Sequence, residues 1–257
     1  MLLTIDIGNS SIKAAIFDKN KLIHQFREKY LSEFISIIKN HPHENIAICS
    51  VVPEMTKNLS VKIKEEFRII PFILTKDIKS NIEIEYKTPE TLGIDRLCSA
   101  EGAYFLLKNS EKYNEYRDGV YILTIDFGTA TTINIIEYPG KFIGGLIAPG
   151  IEMMFESLNE KTAQLPDVNV SHFSSIIGND TNSSIASGVV SSITGMIKKT
   201  INYLKKGKSG KDIFIYITGG NAKKITPYFS FEFIYEEGLV LYGVNSLWRL
   251  NNKLYSN

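Results

Sequence analysis

The sequence predicts an α/β protein of two related lobes with mixed sheets, on three observations. The stretch LTIDIGNSSIKAAIFD begins at Leu3 and a similar one, LTIDFGTATTINIIE, at Leu123, setting Asp6 and Asp126 120 residues apart. Five of the first six positions are identical. Similarity at half the chain length indicates two related lobes, because a solenoid repeats over a far shorter period. Each half also opens with three strand-like runs and then alternates helical and strand-like segments, the pattern of a mixed α/β sheet. Finally, 257 residues with a 44% hydrophobic share suffice for two cores.

The elements follow in order. Each repeat copy reads as a buried strand, a short turn containing glycine, and a second strand rich in β-branched residues. In the first half, LIHQFR (22–27) extends as a third strand, and SEFISIIKN (32–40) has the spacing of a short amphipathic helix with Ser32 as its cap. NIAICSVV (45–52) is a strand, PEMTKNLSVKIKEEF (53–67) a helix opened by proline, and IIPFIL (69–74) a strand. In the second half, FIGGLIAPG (142–150) is a strand running into a Gly-Pro turn. IFIYIT (213–218) is a strand ending on Gly219-Gly220, and GLVLYGVNSLWRL (238–250) is a closing helix. Within 183–204, Ile185, Val189, Ile193, Ile197 and Ile201 form a packing stripe, and Ala186, Ser187, Gly188, Ser191, Ser192 and Gly195 keep that helix thin. The stripe suits either a lobe core or a partner. The polar stretch KNSEKYNEYRDG (108–119) marks the lobe boundary, giving lobes of 1–115 and 116–257.

Several function classes are disfavoured. A net charge of +1 supplies no bulk field for nucleic acid or an anionic membrane. The two cysteines, Cys49 and Cys98, form no C-x-x-C pair, which argues against zinc or a disulfide framework and suits a reducing cytoplasm. The opening MLLTIDIGNSS has no basic run and is interrupted by Asp6, so no signal peptide is expected, and no apolar window reaches the length of a membrane span. His24, His41, His43 and His172 lack ligand spacing and read as surface or strand positions. Met153, Met154 and Trp248 read as core, and KKGKSGK (205–211) as a solvated loop.

The two Asp-x-Gly turns carry the chemistry. Gly8 and Gly128 let the backbone approach a polyphosphate and offer N–H groups to it. Ser10 and Ser11 in one turn, and Thr129, Thr131 and Thr132 in the other, add short hydroxyls. Asp6 suits Mg²⁺ held through water, because Mg²⁺ keeps much of its hydration shell. Lys13 is placed either to neutralise phosphate charge or on the exposed face of its strand. Two such turns, each opening a lobe, point to an interlobe nucleotide cleft.

The paired turns resemble the two phosphate loops of the acetate kinase, sugar kinase, heat-shock 70 and actin superfamily, whose lobes are actin-like (ribonuclease H-like). Tyr216 to Asn221, YITGGN, is similar to its adenosine motif. TPETLGIDRLCSAEGAY (88–104) resembles the Gly-x-Asp-Arg segment of type III pantothenate kinases. GGLIAPGIEMMFESLNEKTAQLP (144–166) and GNDTNSSIASGVV (178–190) resemble two further motifs of that family, and the likeness runs from Met1 to Trp248. One departure is Ser10, where the family more often carries threonine.

The resemblance implies an ATP-dependent kinase that phosphorylates pantothenate, with Mg²⁺, a monovalent cation (K⁺ or NH₄⁺) and a homodimer, and with neither nucleic acid nor membrane as partner. Carried over by position, Asp6, Ile7, Gly8, Asn9, Ser10, Ser11, Ile12 and Lys13 contact ATP, joined by Thr129. Tyr86, Gly93, Ile94, Asp95 and Arg96 line the pantothenate pocket, Thr181 reaches the substrate across the dimer interface, and Asp126 binds the monovalent cation. Loss of the lysine from the second turn, where Ile133 stands at the position of Lys13, suits a cation there. Asp95 is the candidate general base: an ordinary aspartate is too weak to ionise an alcohol beforehand, but it can orient the hydroxyl and take the proton late. Another small-molecule kinase of the superfamily, or a non-catalytic ATP-binding regulator, is the competing expectation.

Overall fold

The computed structural model describes residues 1–110, 119–207 and 212–252. The lobe-boundary stretch 108–119 and the basic run 205–211 therefore lie partly outside the described residues.

Leu2–Ile7 (β1) and Ile12–Asp18 (β2) form an antiparallel hairpin in which Asp6 pairs with Lys13, and Lys21–Glu28 (β3) continues it. Leu31–Ile38 (α1) follows. Ser32 does not cap it but lies inside its first turn; Tyr30 occupies the capping position, and the Ser32 carbonyl accepts the Ser36 hydroxyl at 3.0 Å. Asn45–Ser50 (β4) returns parallel to β1, with Asp6 in register with Cys49. Pro53–Phe67 (α2) leads to Phe72–Ile73 (β5), shorter than the run 69–74 predicted as a strand. Pro71 contributes no N–H to a ladder there, which limits the pairing. The first sheet thus has the mixed order β3-β2-β1-β4-β5.

Glu83–Ile84 (β6) and a 3-10 turn at Pro89–Thr91 precede Ile94–Lys108 (α3), in which Arg96 to Tyr104 are all buried. The repeat copy supplies Tyr121–Phe127 (β7) and Ala130–Glu137 (β8), followed by Lys141–Pro149 (β9), Ile151–Glu160 (α4) and Thr181–Gly207 (α5). Ile213–Thr218 (β10) runs parallel to β7, with Thr218 in register with Asp126. Ala222–Ile225 (α6), Ile234–Tyr235 (β11) and Leu239–Asn251 (α7) complete the chain. The second sheet has the order β11-β10-β7-β8-β9-β6. Two mixed sheets with flanking helices bear out the predicted α/β fold.

The chain divides into two compact units: Met1–Arg117 with Asn134–Gly144 and Gly238–Asn257, and Asp118–Ile133 with Gly145–Glu237. In the first, α1 and α2 cover one face of β1, β2 and β4 over Leu3, Ile5, Ile7, Ile46, Ile48, Leu59 and Ile63. Ala15 and Phe17 pack on Leu241 of α7. Sealing on both faces explains why LLTIDI reads as a continuous apolar run rather than an alternation. In the second unit the α5 stripe is buried from Ile185 to Ile201, whereas Gly188, Ser192 and Gly195 are exposed. Trp248 is core, but Met153 is exposed at 41%, because α4 buries only Ile151 and Phe155.

The tightest packing is backbone on backbone. A Cβ on Gly102 of α3 would lie 2.0 Å from the Leu239 carbonyl oxygen, and one on Gly243 of α7 would lie 1.8 Å from that of Cys98. Beside this crossing the buried Glu101 carboxylate accepts hydrogen bonds from Ser80 Oγ (3.0 Å), Asn81 N (3.3 Å), Asn81 Nδ2 and Ser246 Oγ (2.8 Å). These donors satisfy a charge that would otherwise be costly in the interior. Gly243→Ala should destabilise the protein by about 3 kcal/mol, read as a lower urea midpoint at unchanged slope. Burial holds the His43 imidazole below its usual pKa of 6.5, partly offset by its 2.8 Å hydrogen bond to the His41 carbonyl. The unfolded chain therefore takes up a proton near pH 6.5 that the folded chain refuses, and stability falls as pH drops below that value. His43→Phe should flatten this part of the stability-pH curve between pH 7 and 5.

Candidate active site

The first turn is built at the end of β1. The Gly8 N–H donates to the Ser11 carbonyl at 3.1 Å, so this amide closes the turn rather than pointing at a ligand. Asn9 and Ser10 are exposed at its tip. Lys13 sits neither on an exposed face nor apart: its ammonium lies 3.8 Å from the Asp6 carboxylate, with both side chains largely buried. The Ser11 hydroxyl accepts from Arg27 Nε at 3.0 Å. Arg27 escaped the sequence reading because its place beside the turn comes from the β2–β3 register, where it faces Lys13.

The helix α3 begins at Gly93, whose carbonyl accepts the Leu97 amide at 3.1 Å. Ile94, Asp95 and Arg96 form its first turn, where a carboxylate is favoured by the positive end of the helix dipole. A Cβ on Gly93 would stand 2.5 Å from Asp95 Oδ1, so the carboxylate folds back over a residue that must lack a side chain. Arg96 turns inward and is 6% exposed. Its guanidinium lies 5.9 Å from the Tyr86 ring centroid and 5.7 Å from that of Phe142, two rings that meet edge to face at 6.1 Å. Its Nε donates to Asn134 Oδ1 at 2.8 Å, while Nη2 is buried with no hydrogen-bond partner. Phe142 and Asn134 lie far from Arg96 in sequence and carried no local signal.

Cys49 and Cys98 lie between these two features. Cys49 is in register with Asp6, and Cys98 follows Asp95 by one helical turn. Both are free, fully buried thiols. The hydrogen bond that the Cys49 thiol donates to Cys98, then burial, pushes Cys49 well above its usual pKa; burial leads for Cys98, and the Asp6 and Asp95 charges raise both. The two carboxylates thus act on one neutral thiol pair.

In the second unit, the Gly128 N–H closes its turn on the Ala130 carbonyl at 3.1 Å, one residue tighter than in the first copy. Thr129 is exposed, but Thr131 is fully buried and cannot serve as a surface hydroxyl. Close approach involves glycines other than the turn's own. Gly219 has φ +101°, and a Cβ there would lie 2.4 Å from the Phe127 amide nitrogen and 2.5 Å from Asp126 Oδ1. A Cβ on Gly150 would lie 2.4 Å from the Thr129 carbonyl oxygen. By contrast, side chains at Gly8 and Gly128 would meet only ordinary contacts. The Tyr216 phenol, buried just before the Gly-Gly turn, is pushed up to about 12 by burial. Thr181 is exposed at the start of α5, placed by Asp180, whose carboxylate accepts the Ser183 amide and hydroxyl, each at 2.9 Å.

A family model described as type III pantothenate kinase matches residues 2–203. A protein of that description from Agathobacter rectalis is 31% identical, aligned over 98% of both chains. One from Legionella pneumophila is 34% identical, over 86% of this chain and 88% of its own. Among solved structures, a conserved putative Baf family transcriptional activator from Campylobacter jejuni superposes with TM-score 0.61 at 23% identity, covering 97% of this chain and 98% of that one. Component A of (R)-2-hydroxyglutaryl-CoA dehydratase from Acidaminococcus fermentans superposes at 0.53 with 10% identity, covering 100% and 99%, a likeness of fold alone.

Gly93→Ala crowds a movable carboxylate oxygen rather than backbone, so it should leave the unfolding midpoint nearly unchanged. Misplacing a reacting group by about 1 Å costs about 10²-fold, so if Asp95 handles the proton kcat should fall by that order, as steady-state ADP release would measure.

Proposed function

The chain belongs to the type III pantothenate kinases, and we propose that its chemistry is divided between Asp95, which handles the proton, and Arg96, which holds the substrate's carboxylate. The enzyme transfers the γ-phosphoryl group of ATP to the primary alcohol of pantothenate, the first step of coenzyme A biosynthesis. The observation that carries the assignment of roles is the buried Arg96 guanidinium, with one Nη lacking a hydrogen-bond partner. Burying such a group is costly unless an anion completes it, and pantothenate brings a carboxylate. Tyr86 packs on the same guanidinium, and Gly93 and Ile94 set where the helix begins.

With the carboxylate held there, Asp95 orients the alcohol and accepts its proton late, as the new P–O bond forms and the bond from phosphorus to the β,γ-bridging oxygen of ATP breaks. Asp6, Ile7, Gly8, Asn9, Ser10, Ser11, Ile12 and Lys13 hold the phosphates, joined by Thr129. The donor set at Asp6, one carboxylate with an ammonium at 3.8 Å, fits a Mg²⁺ held through water rather than by several side chains. When bound, Mg²⁺ supplies positive charge to the phosphate oxygens. Asp126, whose carboxylate stands close under the Gly219 turn, suits a monovalent cation, K⁺ or NH₄⁺.

Homodimerisation is supported by the exposed small face of α5 at Gly188, Ser192 and Gly195, from which Thr181 would reach a partner's substrate. The internal repeat supports lobes of 1–115 and 116–257, although by packing Asn134–Gly144 and Gly238–Asn257 go with the first compact unit. A cytoplasmic setting is supported by two free thiols, and among the described residues no helix is long and apolar enough to cross a membrane.

An ADP-release assay with pantothenate, a sugar panel and acetate tests the assignment. Asp95→Asn should lower kcat by about 10²- to 10⁴-fold while ATP still binds. Turnover on sugars but not pantothenate would overturn the substrate, and an active Asp95→Asn enzyme would overturn the base role.

A further inference from the structure

The side chain that holds Arg96 is an amide. Asn134 Oδ1 accepts from Nε at 2.8 Å; Asn134 is fully buried and Arg96 is 6% exposed. The Tyr86 and Phe142 rings also lie against the guanidinium, and they bring no formal charge. Among the described residues no carboxylate lies within ion-pair distance of Arg96. The opposite arrangement occurs in the same unit, where Lys13 has the Asp6 carboxylate 3.8 Å away. One cation is balanced by the protein, and the other is oriented without being balanced.

We propose that Asn134 is a positioning and specificity-determining residue: by anchoring the Arg96 guanidinium through a neutral carbonyl, it fixes the group's orientation while leaving its full positive charge for the substrate's carboxylate. Occupying Nε fixes the plane of the guanidinium and turns the two Nη groups toward the remaining side. A carboxylate at position 134 would make the same hydrogen bond with almost the same shape. It would also form an internal ion pair, and the guanidinium that faces the substrate's carboxylate would then already be balanced. In a dry site that difference is large, because charges there are poorly screened. The amide therefore selects the carboxylate of pantothenate over an uncharged group of the same size at that end.

The inference rests on the reading of Arg96 as the carboxylate site, and the experiment separates the two. It compares kcat/KM for pantothenate and for its uncharged N-methyl amide in wild type, Asn134→Asp and Asn134→Thr, with the KM for ATP and the thermal midpoint recorded for each. Wild type should prefer pantothenate. Asn134→Asp, nearly isosteric, should lose about 10- to 100-fold of that preference, the scale of one hydrogen bond to a charged group, mainly through KM for pantothenate. Asn134→Thr keeps a neutral oxygen and should retain the preference even if both substrates are used less well. A purely structural role predicts the reverse order, with Asp the milder change. If wild type shows no preference, the reading of Arg96 fails. If wild type prefers pantothenate and Asn134→Asp keeps that preference, the role of Asn134 alone is overturned. Should Asn134→Asp fail to fold, loss of the preference in a folded Asn134→Thr enzyme would equally overturn it.

Discussion

Contact between the backbones of α3 and α7, at Gly102 and Gly243, is the constraint on which the placing of Asp95 and Arg96 depends. Two helices approach this closely only where neither carries a side chain at the crossing. The contact fixes α3 against α7, and α7 in turn packs through Leu241 on Ala15 and Phe17 of β2. The first turn of α3, with Asp95 and Arg96, is thereby placed relative to the hairpin that carries Asp6 and Lys13. The Cys49–Cys98 contact joins the same two structures from β4 and stays dry. A side chain set on a helix start of this kind is held by packing rather than by its own loop.

Within that frame the buried charges obey opposite rules. Lys13 and Asp6 are neighbours by strand register, so each reduces the other's desolvation cost. Glu101 has no cation beside it in this network and is satisfied by hydrogen-bond donors alone. Arg96 is satisfied in part, by an amide and two ring faces. Incomplete satisfaction is tolerable when a ligand supplies the remainder, and this separates a binding cation from a structural one.

Much of the fold was legible in the sequence because strand and helix periods are local properties. The repeat at Leu3 and Leu123, the proline-opened α2, β10 and the α5 stripe each announce themselves within a few residues. Ser32 and Met153 misled because cap position and burial depend on how a helix docks. The glycines show the limit more sharply: Gly8 and Gly128 stood out in the motif, yet it is Gly93, Gly150 and Gly219 that meet sterically demanding neighbours at the candidate site. Asp95 and Arg96 were visible through a motif. Arg27, Asn134 and Phe142 were not, because strand register and distant segments bring them in. Hydroxyls at Thr129 and Thr131 look alike on paper, but Thr129 stands exposed at the turn before β8, whereas Thr131 lies within that strand and is buried in the core.

The Glu101 carboxylate collects its donors from Ser80 and Asn81, about twenty residues before it, and from Ser246, in the last helix. Each carboxylate oxygen accepts from two donors, so Ser80 or Ser246 changed alone leaves the charge still held, whereas an apolar residue in place of Glu101 removes the one acceptor the other three share. The tolerance to change is therefore lopsided: the donors can be thinned one at a time, but the carboxylate cannot be removed without orphaning them together. Three segments far apart in the chain thus hang on one acidic side chain.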